Sequence, residues 1–132
     1  MVNAKQLVGP ADAAAVGPFS PGILAEGRFV FVSGQGAFRD GQRIVGAIAD
    51  ETRLALDNVA QVLQAAGASL EDVVRCNVYL ADLADAPAMN SVYESVFPEP
   101  RPARTTVGAA LLGDMKIEID CIAVLPSLGA GS

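Results

Sequence analysis

The chain has 132 residues, 52% of them hydrophobic and 18% charged, and 9 basic against 15 acidic side chains leave a net charge of −6. That balance repels a polyanion, and without Trp, His or a Lys/Arg cluster there is neither a base-stacking platform nor a basic patch, so no nucleic-acid partner is expected. No apolar run approaches the ~18 residues that cross a bilayer, and Met1-Val2-Asn3-Ala4-Lys5 does not lead into an apolar core as a secretory signal does, which makes the cytoplasm the expected location and a membrane partner unexpected.

Residues 10–22 are rich in Ala, Gly and Pro, and Gly17-Pro18-Phe19-Ser20-Pro21-Gly22 reads as turn and loop. After Gly27, Arg28 to Ser33 reads as a strand that breaks at Gly34-Gln35-Gly36, where two glycines let a ligand approach the backbone. Asp40-Gly41 is a hairpin-turn signal, with a short strand expected near Arg43-Ile44-Val45. From Asp50 to Ala66 the period turns helical: Leu56, Val59, Leu63 and Ala66 share a face with Val62 beside them, Asp50 is the expected N-cap and Gly67 the stop. Val73 to Leu80 is the next strand, with Val74, Cys76, Val78 and Leu80 on one face and Arg75, Asn77 and Tyr79 on the other.

A second helix is expected from Asp85 to Phe97, with Pro87 in its first turn and Met89, Val92, Tyr93, Val96 and Phe97 as its apolar stripe. Pro98 and Pro100 end it. The last two strands are Ala103–Gly108 and Lys116–Leu125, and the Gly/Ser/Ala-rich stretch 126–132 is expected to fray. The order predicts a single domain over 1–132, an α+β layer with two helices packed on one face of a sheet.

The last strand carries a further signal. Ile117, Ile119, Cys121, Ala123 and Leu125 line the face expected under the helices, while Lys116, Glu118, Asp120, Ile122 and Val124 turn from charged to apolar along the other. A solvated face does not change character that way; one that packs on a neighbouring subunit does. The high apolar content fits the same reading, against the plainer one of an alanine-rich composition. Cys76 and Cys121 read as buried free thiols, and with no CxxC pair and no His no metal site is expected.

Chemistry centres on Pro102-Ala103-Arg104-Thr105-Thr106-Val107. A proline followed by a β-branched run opens a strand whose first long side chain, Arg104, can grip a carboxylate through two hydrogen bonds. If the final two strands are sheet neighbours, Arg104 and Glu118 can face one cleft, binding an anion and positioning or deprotonating a water. Taken alone, Arg104 reads equally as a surface ion-pair partner, Glu118 as a solvated strand residue, Ser33 and Gly34 as a strand end, and Asn90 as a polar helix residue. Spacing does not decide between these.

Read together, Gly17-Pro18-Phe19-Ser20, Val32-Ser33-Gly34-Gln35, Leu56-Asp57-Asn58-Val59, Ala65-Ala66-Gly67-Ala68, Val73-Val74-Arg75, Tyr79-Leu80-Ala81-Asp82, Asn90-Ser91-Val92-Tyr93, Pro102-Ala103-Arg104 and Ile117-Glu118-Ile119 resemble the RidA family. This family of enamine/imine deaminases is also called YjgF, and the resemblance runs from about residue 16 to 125. It implies a chorismate-mutase-like fold with a mixed sheet, assembled as a homotrimer around a central barrel with clefts between subunits. It also implies hydrolysis of 2-enamine and 2-imino acids, such as 2-aminoacrylate, to 2-keto acids and ammonia without a cofactor.

By position, Arg104 matches the family's carboxylate-binding arginine and Glu118 its water-activating acid. Ser33 and Gly34 match its cleft backbone and Asn90 its helix-borne cleft residue, while Thr106 stands where some members have a cysteine. Phe19 replaces a common tyrosine. Gly36-Ala37-Phe38 and Leu111-Leu112-Gly113-Asp114 also depart from the usual pattern, which points to a paralogous branch with its own imine. The competing functions are a trimeric small-molecule binding protein with little turnover and, against the charge balance, an endoribonuclease or translation inhibitor.

Overall fold

The structure, a computed structural model, describes residues 5–11 and 16–128. The parts of the expected loop and frayed end that fall at 12–15 and 129–132, and Met1 to Ala4, lie outside the described residues. Its elements in chain order are β1 (Lys5–Val8), β2 (Gly22–Ala25), β3 (Arg28–Gln35), β4 (Phe38–Arg39), β5 (Gln42–Arg43), α1 (Ile48–Ala65), β6 (Val73–Leu80), α2 (Ala86–Val96), β7 (Ala103–Gly108) and β8 (Ile117–Leu125). Four of them form a mixed sheet in the order β3-β8-β6-β7, antiparallel except for the parallel pair β6/β7.

The mixed α+β layer is borne out. One sheet face buries Val32, Cys76, Val78, Leu80, Ile117, Ile119, Cys121 and Ala123 against Ala55, Leu56, Val59 and Leu63 of α1 and Met89, Val92 and Tyr93 of α2. A fully buried side chain of this size contributes about 1.5–3 kcal/mol, so this shared core is what holds the helices on the sheet. The opposite face carries Arg75, Asn77 and Tyr79 as expected, and it does change character. Asn77 donates to Asp120 (2.8 Å) at the polar end, while Phe31 pairs with Ile122 and Phe29 with Val124 at the apolar end. Phe29 and Phe31 are 54% and 71% exposed.

Several local expectations are corrected. Helix α1 starts two residues early, at Ile48, behind Ala47, and Asp50 sits in its first turn rather than capping it. Consequently Thr52 and Ala55 complete the buried face, while Ala66 and Val62 stay exposed. A register shift between Val73 and Arg75 turns Val73, not Val74, into the core beside Cys76. The Asp40-Gly41 turn forms as read, with φ of 52° and 75°, but its second strand is Gln42–Arg43. Gly67 (φ 78°) ends α1. The hairpin β1/β2 escaped the sequence reading, because four-residue runs containing Gly, Ala and Lys carry no readable alternation.

Candidate functional site

Arg104 and Glu118 are not sheet neighbours. Strand β6 lies between β7 and β8, and the register sets Arg104 opposite Cys76 on the helix side and Glu118 opposite Tyr79 on the outer side. The cleft read from the final two strands is therefore not built within one chain. The predicted residues separate into two groups, one around each charge.

The first group lies where edge strand β7 meets α2. The Arg104 guanidinium sits 4.7 Å from the Tyr93 ring centre and 5.1 Å from that of Phe19, with Nη1 3.9 Å from Met89 Sδ. Met89 and Tyr93 are one helical turn apart and so share a face of α2. Phe19 reaches the arginine because the preceding loop is stitched to β7: Ser20 N–H donates to the Pro102 carbonyl (3.1 Å), the Ser20 hydroxyl donates to the Arg101 carbonyl, and Ser20 bridges Ala103.

Aromatic faces attract a guanidinium by ~1–2 kcal/mol when it is partly desolvated, yet they use none of its N–H donors. Among the described residues no carboxylate lies within ion-pair distance of Arg104. Burial lowers its pKa, with nearby Tyr93 and Cys76 acting the other way. Arginine stays charged even so, and apart from the long Nη1 contact to Met89 Sδ its N–H donors have no partner among the described residues.

Unpartnered polar atoms mark the same seam. Four buried side-chain N or O atoms lack a hydrogen bond among the described residues, and three belong to Asn90 (Oδ1), Tyr93 (hydroxyl) and Thr106 (Oγ1). Thr106 lies two residues beyond Arg104 on the same strand face, and Asn90 follows Met89 on α2. Such a group typically costs about 1–3 kcal/mol when left unsatisfied; the Tyr93 hydroxyl lies against the Cys76 thiol, so it is Asn90 and Thr106 that leave an unfilled demand for polar contacts. The neighbouring thiol is no nucleophile: burial pushes Cys76 up to about 12, and burial also raises Tyr93 and Cys121.

The second group lies on the outer face around Glu118. Strand β3 accommodates an extra residue between Val32 and Gln35, which places Ser33 and Gly34 in a bulge beside β8. The Glu118 carboxylate lies over Gly34, where a Cβ would come within 2.3 Å of Oε2. Only glycine allows that approach. Gly34 and Glu118 line a pocket of about 530 Å³.

Sequence reasoning missed both aromatic and ionic supports. Tyr93 and Met89 read as core, since their role depends on β7 pairing beside β6. Glu51, 1% exposed, accepts from Arg43 Nη2 (2.9 Å), Gly46 N–H (3.1 Å) and both the backbone N–H and the ammonium of Lys116 (3.3 Å each). It thereby ties hairpin β4/β5 to the start of α1 and the residue before β8. Lys116, expected on the outer strand face, instead turns back to Glu51.

The model of the endoribonuclease L-PSP family matches residues 10–125. The mitochondrial protein mmf2 of Schizosaccharomyces pombe is 45% identical over 111 residues, covering 81% of this chain and 87% of that protein. The 2-iminobutanoate/2-iminopropanoate deaminase of Bos taurus is 36% identical over 132 residues, covering 97% and 96%. Among solved structures, RidA from an Antarctic Psychrobacter is similar with a TM-score of 0.71 at 34% identity, covering 91% of this chain and 99% of that one.

Proposed function

The chain belongs to the endoribonuclease L-PSP family, also known as the YjgF/RidA family, and on that premise we propose that it hydrolyses 2-imino acids and their 2-enamine tautomers to 2-keto acids and ammonia. The naming of relatives as imine deaminases supports this general role. The observation that carries it is Arg104: a half-buried cation framed by Phe19 and Tyr93, without an ion-pair partner among the described residues. A substrate carboxylate supplies the partner the fold withholds.

In this reading Arg104 clamps the carboxylate, with Asn90 and Thr106 meeting further polar atoms and Phe19 walling the site. Glu118, beside the Ser33-Gly34 bulge, accepts a proton from a water as its oxygen bonds to C2. The C=N electron pair moves to nitrogen and takes up a proton. Collapse of the carbinolamine then breaks the C–N bond, with ammonia leaving and the C2 hydroxyl proton released as the keto group forms. An iminium carbon is already electrophilic, so placement and charge suffice and no cofactor is invoked.

Because Arg104 and Glu118 lie on opposite sides of the sheet, one chain cannot bring both to one substrate. A homotrimer with a central barrel, in which one copy's β7 edge meets a neighbour's outer face, resolves this, and the exposed Phe29 and Phe31 support such packing. Free Cys76 and Cys121 suit a reducing compartment, and we propose the cytoplasm. A cleft that binds without turnover is the second reading, favoured by Phe19 in place of a tyrosine.

The test is keto-acid release from 2-imino acids generated in situ by an amino-acid oxidase, with semicarbazide trapping unhydrolysed imine. Mixing inactive Arg104→Ala and Glu118→Ala chains, after reassembly, restores about one quarter of the activity if each site takes one residue from each of two copies in a ring. Acceleration absent across several imino acids would favour the binding protein. No recovery on mixing would overturn the shared cleft.

A further inference from the structure

On the outer face of the sheet one row of residues runs from β3 through β8 to β6. Glu118 of β8 lies over Gly34 on one side, and on the other its register partner is Tyr79 of β6. Side chains directly opposite on one face of an antiparallel pair carry their Cβ atoms about 4.5–5.5 Å apart. The Tyr79 ring therefore borders the carboxylate on the side away from Gly34.

The phenol is anchored. Its hydroxyl lies against the carboxylate of Asp120, two residues from Glu118 on the same strand face. Asp120 is held in turn, since Asn77 Nδ2 donates to its Oδ1 (2.8 Å). Arg75 Nη2 then reaches both Asn77 Oδ1 (3.1 Å) and Thr105 Oγ1 (2.7 Å). One line of polar contacts thus crosses β7, β6 and β8 and ends at the phenol. A carboxylate only accepts, so the phenol proton is committed to Asp120 and its oxygen keeps lone pairs for another donor. That bond raises the Tyr79 pKa; burial and the Asp120 and Glu118 charges add to it and Arg75 opposes it, so the phenol stays protonated at neutral pH.

The charges around this oxygen favour a cation. Glu118 and Asp120 face it from β8 and Arg75 from β6, while β3 offers Ser33 and Gly34 and β7 offers Thr105 and Val107, all uncharged. Beyond Glu118, Arg43 and Lys116 pair with Asp114 and Glu51 and the four charges cancel. Two carboxylates to one guanidinium is the balance that remains.

We propose that Tyr79 is a further catalytic residue of the imine hydrolysis, its oxygen accepting a hydrogen bond from the N–H of the iminium while Asp120 positions it. This rests on the deaminase reading and deepens it at the nitrogen end of the substrate. An acceptor there favours the protonated nitrogen, the form in which C2 is electrophilic, and turns the C=N plane so that the water beside Glu118 meets C2. Tyr79 gives up no proton, so the steps of the hydrolysis are unchanged.

The experiment measures kcat/KM for the imino acid made in situ from alanine, and pyruvate binding by calorimetry, in the parent, Tyr79→Phe, Asp120→Asn and Arg104→Ala. Pyruvate keeps the carboxylate and lacks the N–H. Tyr79→Phe is expected to lower kcat/KM at least about ten-fold, the scale of a hydrogen bond to a charged group, with pyruvate binding and melting temperature unchanged. Asp120→Asn gives a smaller loss of the same kind, whereas Arg104→Ala loses turnover and pyruvate binding together. Tyr79→Phe within two-fold of the parent overturns this inference and leaves the deaminase standing. Equal losses of turnover and pyruvate binding in Tyr79→Phe make the residue structural and overturn it too. A parent that hydrolyses no imino acid overturns the deaminase reading and this inference with it.

Discussion

Glu51 and Arg104 are both charges drawn out of solvent, and the fold treats them oppositely. Around Glu51 four donors converge, two of them charged, so the desolvation of the carboxylate is met inside the chain. Around Arg104 the fold supplies two rings and a thioether and no acid among the described residues. A satisfied buried charge is architecture, since breaking it costs stability. A half-buried charge that meets two rings and a thioether, and no acid among the described residues, is the arrangement behind the binding role we propose for Arg104. The difference separates a charge that holds the fold together from one that the fold leaves without an acidic partner among the described residues.

The comparison breaks most readily at Glu51. Glu51→Ala leaves Arg43 and Lys116 without their buried partner, and it is expected to cost about 3–5 kcal/mol in chemical denaturation. A loss below about 1 kcal/mol would mean the network is ornamental. Arg104→Ala should do the reverse: imine hydrolysis falls about 100- to 1000-fold, while the melting temperature stays within a few degrees. Near-normal hydrolysis by that variant would remove Arg104 from the site. Arg104→Lys, a point charge without the planar fork, should recover only part of the loss.

A finer probe is Gly34→Ala. Its Cβ displaces the mobile end of Glu118 rather than backbone, so kcat is expected to drop about ten-fold with little change in stability. Unchanged kcat would show that the carboxylate's position does not matter. The smallest effect is on pH. Burial raises the Glu51 pKa, but hydrogen bonds from Gly46, Arg43 and Lys116 more than offset it, leaving the group below its ordinary 4.5. The folded state then binds that proton less readily than the unfolded chain. Its contribution is complete above about pH 4.5 and is lost as pH falls through the lower folded value. Urea midpoints from pH 7 to pH 3 should fall more for the parent than for Glu51→Gln.

Much of the site was legible as residue types. Arg104 stood out because proline and a β-branched run fix its direction, and Gly34 because a glycine at a strand break signals close approach. Asn90 and Thr106 were singled out by family resemblance alone, and their orphaned buried atoms now give them a physical reason for attention. Tyr93 was read as core, and it is core, but its ring also faces Arg104. No sequence period distinguishes those two uses of one buried aromatic.

Taken by itself, the sequence determined the local elements: the helical period of α1 and α2, the Asp40-Gly41 turn, the stop at Gly67, and the alternation of β8 from Ile117 to Ala123. These follow from backbone sterics and side-chain periods within a few residues. Tertiary structure decided that β6 runs between β7 and β8, that a register shift selects Val73 over Val74, and that Glu51 rather than a surface acid gathers Arg43 and Lys116. Strand order and register are chosen by which pairing buries the most apolar surface at once, a sum over distant residues that no local segment encodes. That choice put Arg104 and Glu118 on opposite faces of one sheet.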